Sequence, residues 1–204
     1  MILYDYVLSA SCYKVRLMAA LLGKDLPLRA VNFHPAREHM SPAMLALNPK
    51  GTLPILSEDD LVLTDSADIL RHLTAEQPEW QNSEDDRWIT FASKLNKSLG
   101  LARLHDILGY EADIDAVRRD GVKALRQLEE HLTERRFDGL IFLTSDTPTI
   151  ADIACFPNTA LAPDGGVCLD PYPSIRLWLR AIRSLPGFIE MPGIHRLHEM
   201  AHPA

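Results

Sequence analysis

Asn48-Pro49-Lys50-Gly51-Thr52-Leu53-Pro54-Ile55-Leu56, followed nine residues later by Asp65-Ser66, decides how this chain folds. Proline has no backbone N–H to give a ladder, so Pro54 marks a sheet edge or the first residue of a strand, and Ile55-Leu56 begin that strand. Such an edge leaves backbone groups free to pair with an extended peptide. Ser66 opens the apolar run Ile69, Leu70, Leu73, which places its hydroxyl and N–H at a helix start, where anions are attracted. The two features together predict a groove for a short peptide carrying a free carboxylate. Taken without the rest of the chain, the same residues describe a turn followed by an ordinary capped helix.

Toward the N-terminus, residues 1–8 read as a short buried strand (Ile2, Leu3, Tyr4, Tyr6, Val7). After the polar junction Ser9-Ala10-Ser11, Val15, Leu17, Met18, Leu21 and Leu22 recur at helical spacing until Gly23 stops them. Leu28 to Phe33 reads as a second strand and Met44 to Leu47 as a brief helical turn. Leu53–Ser57 and Leu61–Thr64 form a hairpin across Glu58-Asp59-Asp60, and a helix runs from Ser66 to about Ala75. The order is β-α-β-(α)-β-β-α, an α/β unit over residues 1–76. Glu76 to Asn82 reads as a linker. Beyond it, residues 84–204 show only helical periodicity, over 84–108, 113–134, 149–161, 173–184 and 192–201, punctuated by Gly and Pro. The fold class expected is therefore α/β plus all-α.

Composition removes several function classes. A net charge of -7 over 204 residues argues against a general nucleic-acid binder, which needs a basic face. The basic runs Arg118-Arg119 and Arg135-Arg136 lie in helical patterns, where a solvated face explains them. The longest apolar stretch, Leu17 to Leu22, is too short to span a bilayer. No basic region with an apolar core opens the chain, so no signal peptide is expected. Cys12, Cys155 and Cys168 have no metal-like spacing and suit a reducing compartment. The expectation is a soluble cytoplasmic protein with no metal, no nucleic acid and no membrane among its partners.

Three further segments join the opening motif. Ser9-Ala10-Ser11-Cys12-Tyr13-Lys14-Val15-Arg16 resembles the Ser-Ser-x-x-Tyr/Trp-Arg-Val-Arg motif of zeta-class glutathione S-transferases. Arg37-Glu38-His39-Met40-Ser41-Pro42 with Asn48-Pro49-Lys50-Gly51 resembles the phi-class segment around its glutathione site. Thr149-Ile150-Ala151-Asp152 resembles the capping box of the family's helical domain. The chain thus resembles a cytosolic glutathione S-transferase over nearly its full length. The resemblance implies a thioredoxin-like N-terminal domain, a helical-bundle C-terminal domain and a homodimer.

Glutathione carries a thiol that titrates near about 8.5 when free, and only the thiolate attacks electrophiles. A hydroxyl donor at a helix N-terminus favours the charged form. A hydrogen bond to a charged group contributes about 1.5–3 kcal/mol, or roughly one to two pKa units, so no general base is needed. Ser9 matches the family's catalytic serine when Lys14-Val15-Arg16 is set against Arg-Val-Arg, and Ser11 on the same first helical turn is the second candidate. Both positions also serve as plain helix caps. Cys12 falls where the second cysteine of a Cys-x-x-Cys would be. With serine in the first position no dithiol chemistry is available, and Cys12 reads as a small buried side chain.

For the tripeptide, the resemblance implies a cis Leu53–Pro54 bond and backbone pairing at Leu53. It also implies that Ser66 takes the γ-glutamyl carboxylate, that Asp65 takes its ammonium, and that His39 and Lys50 lie at the glycyl carboxylate. Met40 stands where the phi class has lysine and Thr52 where it has glutamine. Arg103 and His105 are the polar candidates for the pocket of a small apolar electrophile between the domains. Trp88, Phe91 and Trp178 follow core spacing, and Asp152 reads as a structural cap. Two alternatives stand beside a conjugating transferase. One is a zeta-like glutathione-dependent cis–trans isomerase, and the other is a non-catalytic module of the same fold. A glutaredoxin-type reductase would instead depend on Cys12.

Overall fold

The computed structural model describes residues 1–197. β1 (Ile2–Asp5), α1 (Ala10–Leu21), β2 (Leu28–Ala30), α2 (Pro42–Leu47), β3 (Ile55–Glu58), β4 (Leu61–Leu63) and α3 (Ser66–Leu73) follow one another. The sheet order is β2-β1-β3-β4, with β1 parallel to β2 and antiparallel to β3, and β3 antiparallel to β4. This is a thioredoxin-like unit. Both outer strands are shorter than expected.

The register explains the layering. Leu3 stands opposite Leu56, and both turn into the large core under α1 and α3. Side chains alternate across a strand, so Tyr4 and Ile55 turn to the other face. There they pack with Val31, Met44 and Leu47 beneath α2. In α1, Cys12, Tyr13, Val15, Leu17 and Met18 are all buried, because the helix has the sheet on one side and the helical unit on the other. Gly23 ends it in the left-handed region (φ +63°), where a glycine carries no Cβ penalty.

The helical unit comprises α4 (Asp85–Leu95), α5 (Leu101–Leu108), α6 (Ile114–Phe137), α7 (Ile150–Ala160) and α8 (Pro173–Arg183). The helix expected over 84–108 is one continuous run broken by a π-helical turn at Asn96–Gly100. α7 is buried nearly throughout, and its capping box is formed as expected. Asp152 does more than cap. Its carboxylate accepts from Thr149 N at 2.9 Å, Leu143 N at 3.0 Å and Trp178 Nε1 at 2.8 Å. Trp88, Phe91 and Trp178 are core residues. The helix expected over 192–201 is not formed in its described part. Pro192 and Gly193 (φ +92°) instead turn the chain so that Met191 bridges Ile194, and residues 198–201 lie outside the described residues.

Two side chains tie the units together beside the loop that carries Ser9. Tyr13 Oη donates to Ile189 O at 2.7 Å, and Arg103 Nη1 donates to Leu8 O at 2.6 Å. Among the described residues, no helix is long and apolar enough to cross a membrane.

Candidate functional site

The Asn48–Pro54 loop is built by one buried amide. Asn48 Nδ2 donates to Thr52 O at 2.8 Å and to Thr52 Oγ1 at 2.9 Å, while Asn48 Oδ1 accepts from Lys50 N at 3.1 Å. Gly51 between them adopts φ +59°, a left-handed value open to glycine at little steric cost. The loop delivers a cis Leu53–Pro54 bond to the start of β3. Ten residues on, Asp65 is the N-cap of α3, which begins at Ser66 as expected. Asp65 Oδ1 accepts from Ala67 N at 2.8 Å and more weakly from Asp68 N at 3.4 Å. That frees the Ser66 hydroxyl, on the first helical residue, to line the groove above.

This groove, of about 550 Å³, runs between α1, the Leu53–Pro54 turn, the start of α3 and the flank of α4. Ser11, Lys14, Leu53, Pro54, Asp65 and Ser66 form its near wall. Lys14 was read from sequence only as part of a motif. Its side chain is buried, yet it borders the groove. Burial pushes its ammonium below the ordinary lysine range, and Cys155 and Asp65 pull it partly back. Its position three residues after Ser11 puts the two on one helical face, a spacing that could have revealed it.

A second cavity of about 210 Å³ adjoins the first, with Ser11, Thr52, Leu53 and Asn96 common to both. Tyr6, Leu8, Phe33 and Leu104 make it largely apolar. Ser9 and Ser11 both line it. Ser9 caps α1, its Oγ accepting from Cys12 N at 3.2 Å. Ser9 lines the cavity at the positive end of α1, and its side chain also engages the Cys12 thiol by a hydrogen bond. Cys12 lies wholly buried behind it, and burial pushes its thiol up to about 12. It is a neutral packing group, as expected.

The remaining candidates separate. Arg103 lines the cavity, but as a buried group rather than a solvated one: Nε donates to Asp164 Oδ2 at 3.0 Å, and Nη1 holds Leu8 O. His105 does not line it. Two residues on, it sits about 200° around α5, where Nδ1 lies 2.8 Å from Asp106 Oδ1. His39 lines neither space. Its buried ring stacks on Phe33 with centroids 3.8 Å apart, and burial and then Arg37 hold its pKa below the usual histidine value. Lys50 is exposed on its loop and also outside both linings. Asn158 of α7, absent from the sequence reading, does line the cavity. A lone amide beside Pro157 in a mostly apolar helix was the available signal. Among the described residues, no group of three or more His, Cys, Asp or Glu is arranged to hold a metal ion.

Residues 3–81 match the family model described as glutathione S-transferase, N-terminal domain, and residues 111–181 match the model for the C-terminal domain. The chain is 27% identical to the maleylacetoacetate isomerase of Pseudomonas aeruginosa, across 99% of this chain and 95% of that protein. A glutathione S-transferase structure from Pseudomonas fluorescens superposes with a TM-score of 0.85 at 28% identity, covering 93% of this chain and 98% of that one. A structure of glutathione S-transferase-I bound with lactoylglutathione superposes with a TM-score of 0.74 at 26% identity, covering 91% and 95%.

Proposed function

The chain belongs to the cytosolic glutathione S-transferase superfamily and is a glutathione transferase, and on that premise we propose a mechanism for it. Reduced glutathione occupies the groove, Ser9 stabilises its thiolate, and the sulfur attacks a small apolar electrophile in the adjoining cavity. The observation that carries this reading is the meeting of the two spaces at Ser11 and Leu53, beside the α1 N-cap serine that lines the second of them.

The γ-glutamyl carboxylate rests on the Ser66 hydroxyl and the N-terminus of α3. Its ammonium meets the Asp65 oxygen not spent on the cap. The cysteinyl backbone pairs with Leu53, which leaves the sulfur at the start of α1 near Ser9. Lys14, bordering the same groove, adds positive potential beneath the peptide. Holding thiol and acceptor side by side removes translational freedom, and the serine and helix end supply the electrostatics. His39 and Lys50 line neither space, and Phe33 covers the ring of His39, so this binding mode gives neither a contact at the glycyl end. We place the working enzyme in the cytoplasm as a homodimer, with residues 1–76 as the glutathione-binding domain and 84–204 as the helical one.

The isomerase reading is favoured by one observation, the full-length likeness to a protein named maleylacetoacetate isomerase. The same thiolate would add to and then leave a cis alkene. A dicarboxylate would need cations, however, and the Arg103 guanidinium is already engaged by Leu8 and Asp164. Titration calorimetry with reduced glutathone's own thiol form tests the common premise. Saturable heat at millimolar ligand is expected, and its absence would leave only a non-catalytic module.

A further inference from the structure

Asn158 is 2% exposed, and its Nδ2 has no hydrogen-bond partner among the described residues. A buried polar group left unpaired is costly, and native folds rarely carry one without a reason. This one lines the 210 Å³ cavity that also holds Ser9. Facing it is the π-helical turn Asn96–Gly100, a type of irregularity common at functional sites. Gly100 keeps the space open. A Cβ there would stand 2.9 Å from Asn96 Oδ1, closer than real contacts allow, and 3.0 Å from Asn158 Oδ1, tighter than nine in ten of them. Two amides therefore meet across a glycine in a largely apolar cavity. The two ends of the Asn158 amide have nearly the same shape, and no bond pins either. Turning it points N–H groups into the cavity and leaves the carbonyl on the dry side, the less costly orphan of the two.

We propose that Asn158, with Asn96 across Gly100, is a specificity-determining donor for an oxygen conjugated to the electrophilic carbon. The preferred acceptors are then α,β-unsaturated carbonyl compounds rather than alkyl or benzyl halides. The inference rests on the glutathione-thiolate reading above. In the step it favours, the sulfur lone pair forms a C–S bond at the β-carbon, and the C=C pair moves toward the carbonyl to give an enolate. The enolate takes a proton from water, replacing the one the thiol released. The Asn158 N–H donates where that enolate charge develops. A halide offers the amide no oxygen, so its N–H stays unpaired, and a site built to bond an oxygen discriminates against such a ligand.

The test compares kcat/KM for benzylideneacetone and for benzyl chloride, at saturating reduced glutathione, in the wild-type protein and in Asn158→Leu. The ratio of enone to halide is expected to fall about 10- to 100-fold in the variant, the scale of losing one hydrogen bond to a developing charge. Its melting temperature should hold or rise, because an apolar side chain replaces an orphaned amide. Gly100→Ala tests the same claim from the other wall, since its methyl crowds both amides, and it serves if the first variant does not fold. A ratio that moves less than about threefold in both variants overturns the inference. A wild-type protein that conjugates the halide but not the enone also overturns it, while leaving the thiolate reading intact. Failure to conjugate either compound, with no heat of glutathione binding, removes both.

Discussion

Ser9 has two tasks, and Ser9→Gly separates them. As N-cap of α1 it accepts from Cys12 N. Replacing such a cap by alanine costs about 0.5–2 kcal/mol, whereas glycine costs only a few tenths. Ser9→Gly should therefore keep the fold and remove the hydroxyl donor. Losing one hydrogen bond to a charged sulfur, about 1.5–3 kcal/mol, raises the bound thiol by roughly one to two pKa units, back toward about 8.5. At pH 7 that lowers the thiolate population about ten- to thirtyfold, and kcat/KM follows. The deficit should close as pH rises past the free-thiol value, because both proteins then hold thiolate. The assay is the ultraviolet absorbance of the thiolate in the glutathione complex, titrated in parallel with kcat/KM. Bound thiols that titrate together in both proteins would refute the role given to Ser9. A shift seen instead in Ser11→Ala would transfer that role to the other serine lining the cavity.

Lys14→Met removes a buried ammonium from the groove wall. It should weaken glutathione by about tenfold with melting unchanged or raised, since apolar replacement of a buried charge is often neutral or stabilising; equal affinities by calorimetry would exclude Lys14 from the site. Burial pushes the Asp152 carboxyl up to about 6 from its ordinary 3.8. The folded state thus holds the proton more tightly, and this carboxylate's contribution to stability falls as pH rises from about 4 to 6, by about 3 kcal/mol at most. Asp152→Asn places an N–H2 where N–H donors now point, so it should be less stable by about 1–3 kcal/mol at pH 5. That gap should shrink by pH 7.5 in chemical denaturation, and a gap that widened would contradict the sign.

What local chemistry dictates was legible. Asn48, Gly51 and Pro54 act through their own backbone and near neighbours, so the loop could be read before any tertiary contact was known. The Thr149–Asp152 box works within one helical turn, and the Trp88, Phe91 and Trp178 positions follow from period alone. The start of α3 at Ser66 was legible too, because its apolar spacing is local, and Asp65 before it supplies the cap. Arg103 and His105 could not be told apart, since both are polar and only the packing of α5 against the Leu8 carbonyl and Asp164 turns one inward.

His39 shows the opposite limit. Its type and position suit a carboxylate ligand, but Phe33 reaches the same place from an earlier loop and covers the ring, which only the folded chain reveals. Lys14 and Asn158 escaped notice for a related reason. Each is one polar residue on a face that is otherwise core, and pattern reading absorbs such residues as noise in an apolar helix. Asn158 Nδ2 is buried without a partner, and Lys14 is buried with its charge only partly offset by Cys155 and Asp65, so each carries a standing cost. Natural sequences tend to break local rules in this way at functional sites. That both residues border the joined spaces beside Ser11, rather than lying at random in the core, is the physical ground for treating them as parts of one site.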